Sequence, residues 1–179
     1  LWTLDGIREL VGEKTRVIAF AHVSNVTGQI APVADIVELA RGVGAVTVLD
    51  ACQSAPHMRL DLHELGVDFA AFSAHKMLGP TGIGALYGRA ELLDLLPPAR
   101  TGGSMITVVS MEAAEFLPAP NRFEAGTQAV SQAVGFAAAV EYLDGLGMAA
   151  VASHEHEIAQ ALVDVVERTP GVRLIGPAA

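Results

Sequence analysis

The chain has 179 residues, 51% of them hydrophobic and 17% charged, with 11 Lys plus Arg against 20 Asp plus Glu and a formal net charge of −9. That is enough apolar material for about one packed domain and excludes a disordered chain. An acidic balance without a basic block leaves no electrostatic footprint for nucleic acid or an anionic membrane surface, and a single cysteine, Cys52, excludes an internal disulfide framework and a cysteine-based zinc site.

The spacing of Leu4, Ile7, Leu10 and Val11 predicts a helix ending at Gly12. Residues 16–22 (RVIAFAH) are a short apolar run, the mark of a strand buried on both faces. Pro32 stands where a first helical residue belongs, and Val33, Ile36, Val37 and Ala40 form one face up to Gly42. Residues 45–50 (AVTVLD) predict a second buried strand and 67–72 (VDFAAF) a third. A fourth, 83–87 (IGALY), follows the turn Gly79-Pro80-Thr81-Gly82. A short helix covers 90–96 before Pro97-Pro98, and residues 100–122 read as loop. Two long helices, 128–143 and 148–168, are separated by Gly145-Leu146-Gly147, and 172–175 is a last strand candidate. This alternation is that of an α/β fold. The change of order after the glycines puts a domain boundary there, dividing 1–145 from 146–179.

No apolar stretch approaches the roughly 20 residues that cross a bilayer. The first residues lack the basic-then-apolar order of a signal peptide, so a cytoplasmic protein is expected. The chain begins at Leu1 and stops just after a strand-like run, which reads as a piece of something longer.

In open α/β sheets, ligands bind beyond the carboxyl ends of the strands. Three predicted strands end in polar residues: His22, Ser24 and Asn25 after the first; Asp50 and Gln53 after the second; Ser73, His75 and Lys76 after the third. Any one of these is ordinary loop polarity; their convergence on one edge is the signal. Lys76 lies between an aromatic strand and a Gly/Pro turn, where desolvation disfavours the ammonium, and a neutral amine is what condensation with an aldehyde requires. A carboxylate ending a buried strand, Asp50, needs a partner. A protonated pyridine nitrogen is one, the arrangement that makes pyridoxal phosphate an electron sink.

Leu49-Asp50-Ala51-Cys52-Gln53, then Phe72-Ser73-Ala74-His75-Lys76, then Gly79-Pro80-Thr81-Gly82-Ile83-Gly84 resemble the fold-type I, class V pyridoxal-phosphate enzymes. With His22-Val23-Ser24-Asn25, Gly102-Gly103-Ser104-Met105 and Arg122-Phe123-Glu124-Ala125-Gly126-Thr127, the set is similar to the cysteine desulfurases that mobilise sulfur for iron–sulfur cluster assembly. The resemblance implies a large domain with a mostly parallel, seven-stranded sheet and flanking helices, plus the start of a small C-terminal α/β domain. It implies pyridoxal 5'-phosphate as cofactor, L-cysteine as substrate, a homodimer, and a sulfur-acceptor protein. Lys76 would be the Schiff-base lysine and proton shuttle, and Asp50 the partner of the pyridinium nitrogen. Gln53 would bond the phenolic oxygen, with Asn25 near the same ring edge. Ser73 and His75 would hold the phosphate, and Thr127 the phosphate of the partner subunit.

The same resemblance places the persulfide-forming cysteine and the arginine that grips the substrate carboxylate beyond residue 179, and the ring-stacking residue before residue 1. A chain of these residues alone is therefore expected not to desulfurate cysteine, whereas its parent protein should. The Schiff-base half is shared with selenocysteine lyases, class V aminotransferases and epimerases, and a non-catalytic scaffold of the same fold is a further alternative. Cys52 is expected to point away from Asp50 as a small buried hydrophobe. Gly79, Gly82 and Gly84 do not spell a nucleotide loop and read as a close backbone approach beside Lys76. His154 and His156, with Glu155 and Glu157, read as a solvated face; His57 and His63 as loop packing; Val151, Ile158, Leu162 and Val165 as helix core. Arg122 is compatible with a cofactor contact or a dimer contact, and the sequence does not choose.

Overall fold

Val33, Ile36, Val37 and Ala40 lie on one face of α2 (Val33–Val43), and all four are buried, as an apolar stripe repeating every three to four residues is when a sheet lies under it. The structure, a computed structural model, describes residues 3–177. Pro32 precedes the helix rather than opening it, and the helix runs past Gly42. It ends at Gly44, whose φ of 69° lets its N–H reach the carbonyls of Ala40 and Arg41. α1 (Leu4–Leu10) starts from Thr3, whose hydroxyl accepts from the Gly6 N–H at 3.2 Å.

The main sheet is β1 (Val17–Ala21), β2 (Val46–Asp50), β3 (Phe69–Ser73) and β4 (Gly84–Gly88), in that order. The first three strands are parallel and β4 is antiparallel to β3, in keeping with the mostly parallel sheet expected. Ala21 pairs with Asp50 and Asp50 with Ala71, so the carboxyl ends of three strands share one edge. Leu49, Ala51 and Ala70 are fully buried beneath α2, with Ile18, Phe20, Phe72 and Tyr87 packed beside them. The opposite face carries Val17, 56% exposed, and Leu86, 65% exposed. The expectation of strands buried on both faces therefore fails: side chains alternate along a strand, and the described residues cover one side.

Polar bonds lock the strand order at the other end of the sheet. Thr47, buried in β2, gives its N–H and its hydroxyl to one carboxylate oxygen of Asp68, at 2.8 and 2.9 Å, and faces the Asp68 N–H at 2.9 Å. The other oxygen of Asp68 pairs with Arg89 at 3.1 Å, just after β4.

The remaining elements are α3 (Leu62–Leu65), α4 (Ala90–Leu95), α5 (Val130–Leu146) and α6 (Met148–Arg168), with a hairpin of β5 (Ile106–Val109) and β6 (Ala114–Phe116). The hairpin corrects the reading of 100–122 as loop. The β-branched run Ile106-Thr107-Val108-Val109 was its signal, and the surrounding glycines and prolines outweighed it. Helix α5 continues through Gly145 and breaks at Gly147, φ 81°, where α6 turns away by 75°. No single helix among the described residues is long and apolar enough to cross a membrane. Residues 172–175 form no strand; a strand exists by pairing, and none of the described strands lies beside them. The α6 stripe is covered only at its start: Val151 is half-buried near Leu143 and Leu146, whereas Ile158, Leu162 and Val165 are each more than half exposed.

Candidate functional site

Each of the three parallel strands ends in a tight turn that hands a polar group to the shared edge. After β1 the chain bends at Ser24, whose hydroxyl accepts from the N–H groups of Val26 and Thr27, at 3.3 and 3.2 Å. Asn25 is exposed on that bend. After β2, Asp50 turns the chain itself: its Oδ1 accepts the Cys52 N–H at 2.9 Å. Asp50 is exposed, and Oδ2 has no protein partner among the described residues. Gln53 follows, half-buried.

β3 ends at Ser73, and a 3-10 turn over residues 74–77 follows, carrying exposed His75 and half-buried Lys76. This turn is closed by the Gly79 N–H on the Ala74 carbonyl, 2.9 Å. The glycines beside it serve close approach, as the sequence implies: a Cβ on Gly79 would lie 2.9 Å from the Ala74 oxygen, and one on Gly84 would lie 2.5 Å from the Phe72 oxygen. Helix α5 braces the strand before the turn, with the Phe136 ring edge-on to Phe72 at 6.4 Å.

Cys52 does not turn aside as a buried hydrophobe: it is half-buried and its Sγ is 3.4 Å from the Ser73 hydroxyl, on the face that strand alternation already assigns to positions 50 and 52 together. Asp50, Cys52 and Ser73 thus form one contiguous group across two strand ends, with Lys76 three residues beyond. Thr127 stands apart on the loop before α5, exposed, next to a Gly126 N–H that bonds the Gly103 carbonyl at 2.9 Å.

Three further side chains have partners that the sequence does not name. His57 Nδ1 meets Glu155 Oε1 at 2.8 Å, joining the turn after β2 to α6, so Glu155 is not simply a solvated face. His63 lies in α3, with its ring edge-on to Tyr87 at 5.7 Å. Arg122 spends its guanidinium on main-chain carbonyls: Leu117 at 3.1 Å, Asp94 at 3.2 Å and Leu96 at 3.4 Å. No sequence pattern marks such a set, since its acceptors are carbonyls that every residue carries. His22 is buried at 6% exposure, and its Nδ1 has no hydrogen-bond partner among the described residues. Desolvation lowers its pKa below the ordinary histidine value.

Known proteins share this chain's sequence and fold. A protein of Mycobacterium leprae named "Probable cysteine desulfurase 2" is 61% identical over 174 residues, covering 97% of this chain and 41% of that protein. The crystal structure of the Escherichia coli cysteine desulfurase CsdA superposes with a TM-score of 0.89 at 37% identity, over 93% of this chain and 42% of that one. A C-DES variant holding glycine covalently linked to its PLP cofactor matches with a TM-score of 0.88 at 27% identity, over 98% of this chain and 47% of that one. The chain therefore spans about two fifths of the length of the curated relative. The aminotransferase class-V model matches residues 1–179, and the chain belongs to that family.

Proposed function

We propose that the protein carrying this chain is a pyridoxal-phosphate-dependent cysteine desulfurase. It converts L-cysteine to L-alanine and hands the sulfur on as a protein-bound persulfide, in the cytoplasm, as a homodimer, toward a sulfur-acceptor protein of iron–sulfur cluster assembly. One observation carries the reading: Asp50, Ser73 and the turn bearing Lys76 stand at the carboxyl ends of adjacent parallel strands, in a chain most of whose length matches named desulfurases.

The donor set suits pyridoxal phosphate. A carboxylate with a free oxygen, an amine, an amide and a hydroxyl share one edge, and these are the partners that a pyridinium nitrogen, an aldehyde, a phenolic oxygen and a phosphate require. When bound, the cofactor supplies an electron sink for the pair left at the substrate α-carbon. Asp50 would keep the ring nitrogen protonated, because a nearby anion favours the charged form. Lys76 would hold the aldehyde carbon covalently and, once displaced by substrate, take and return the proton at Cα. Gln53 and Asn25 would fix the ring edge, Ser73 and His75 the phosphate. Thr127 would reach the phosphate of the partner subunit. The domain division at 145/146 belongs to the same proposal; it falls one residue before the end of α5.

Borohydride reduction of the full-length protein with pyridoxal phosphate, followed by peptide mass mapping, tests this reading. The label is expected on Lys76 and lost in Lys76→Ala, and before reduction the wild-type protein, unlike Lys76→Ala, should form alanine and, with a thiol reductant, sulfide from L-cysteine. A well-folded full-length protein that takes no label would overturn the reading in favour of a scaffold.

A further inference from the structure

We propose that Arg122 is a positioning residue that holds the Thr127 loop in register for the cofactor's phosphate; the inference rests on the reading of Thr127 given above. Arg122 is half-buried in a 3-10 turn over Asn121–Phe123. None of its three acceptors is a carboxylate. Asp94 and Leu96 end α4, where the last carbonyls have no helical partner and a cation is favoured. Leu117 is the residue at which the chain leaves β6. One planar guanidinium therefore ties the exit of a helix and the exit of a hairpin to a single turn.

The rest of the loop is stitched to that anchor. The Leu117 N–H bonds the carbonyl of Met105, which is fully buried, at 2.9 Å. The Gly126 N–H bonds the Gly103 carbonyl at 2.9 Å. The loop 117–126 is thus joined to 103–105 at both its ends, and Arg122, between those ends, binds it back to Leu117 and to the end of α4. Thr127 is the next residue, so the place of its hydroxyl follows from the clamp. A lysine could keep the charge there but not the fork, since its one nitrogen cannot stand at the two places from which Nε and Nη1 donate.

The test compares two ligands that differ in the phosphate alone. Dissociation constants for pyridoxal phosphate and for pyridoxal are measured on the apo form of the full-length protein, by the visible absorbance of the bound ring. Thr127→Ala is expected to weaken pyridoxal phosphate by about tenfold, the scale of one charge-assisted hydrogen bond, and to leave pyridoxal within about twofold. Arg122→Ala is expected to show the same selective loss, Arg122→Lys a smaller one, and the Thr127→Ala, Arg122→Ala pair no more than either alone. Equal loss of both ligands in the Arg122 variants would reduce the residue to a structural brace and overturn the inference. An effect of Thr127→Ala without one from Arg122→Ala or Arg122→Lys would overturn it while sparing Thr127. Unchanged pyridoxal phosphate affinity in Thr127→Ala would remove the reading of Thr127 and this inference with it. Should Arg122→Ala fail to fold, Arg122→Lys carries the comparison.

Discussion

Replacing Gly79 by alanine probes the turn that carries Lys76 without touching any polar side chain. The added Cβ would sit 2.9 Å from the Ala74 carbonyl oxygen and 3.2 Å from the Ala74 Cβ. Ala74 is fully buried and cannot retreat into solvent. The turn must open by about half an ångström to restore ordinary contact, and overpacking of this kind costs about 1–3 kcal/mol. Its closing bond, the Gly79 N–H on the same carbonyl, lengthens as the two residues part. Gly82→Ala is the control: nothing lies within 4 Å of its Cβ, and only its φ of 81° is unfavourable to a side chain, at roughly 1–2 kcal/mol. Urea unfolding of each variant, followed by far-UV circular dichroism, gives the stabilities, and borohydride trapping of pyridoxal phosphate in the full-length protein reports the placement of Lys76. Gly79→Ala should lose both stability and trapping, whereas Gly82→Ala should lose stability alone. A Gly79→Ala protein that unfolds at the wild-type urea concentration and traps the cofactor as well would refute the close-approach argument.

Thr47→Val keeps the side-chain shape but removes the hydroxyl that bonds Asp68 and faces its buried N–H. Equilibrium unfolding at neutral pH should show a loss of about 1–3 kcal/mol, the scale of a buried group left unsatisfied; a change under about 0.5 kcal/mol would show that the strand ends hold together without it. His22 gives a pH dependence. Its folded pKa lies below its unfolded one, so the unfolded chain binds the extra proton. This contribution is fully present above the unfolded value, about 6.5, and is lost as pH falls below it. Thermal midpoints taken from pH 7.5 down to 5.5 should fall less steeply in His22→Gln than in the wild type, and parallel slopes would contradict the assignment.

Asp50 and Ser73 were legible in the sequence because each closes an apolar run, and a run of that kind ending in a polar residue fixes the end of a strand in one dimension; Lys76 was legible from its place three residues beyond Ser73. The stripe at Val33, Ile36, Val37 and Ala40 was legible for the same reason, since its period is a local property of the chain. The hairpin at 106–116 was less so: its β-branched run was present, but a strand's reality depends on its neighbour, and residues 172–175 show the converse, a strand-like run that no described strand pairs with.

Other features belonged to the tertiary structure alone. Sequence order says nothing of which carbonyl a guanidinium 26 or 28 residues away will meet, nor that His57 and Glu155 pair across 98 residues. Nor does local pattern name the partner of the Cys52 thiol, which meets the Ser73 hydroxyl across 21 residues. Composition and local period, which act between near neighbours, therefore determined the elements and the polar groups at their ends. The burial of one sheet face and the clamp on the Thr127 loop were settled by contacts between distant segments, which only folding in three dimensions brings within reach.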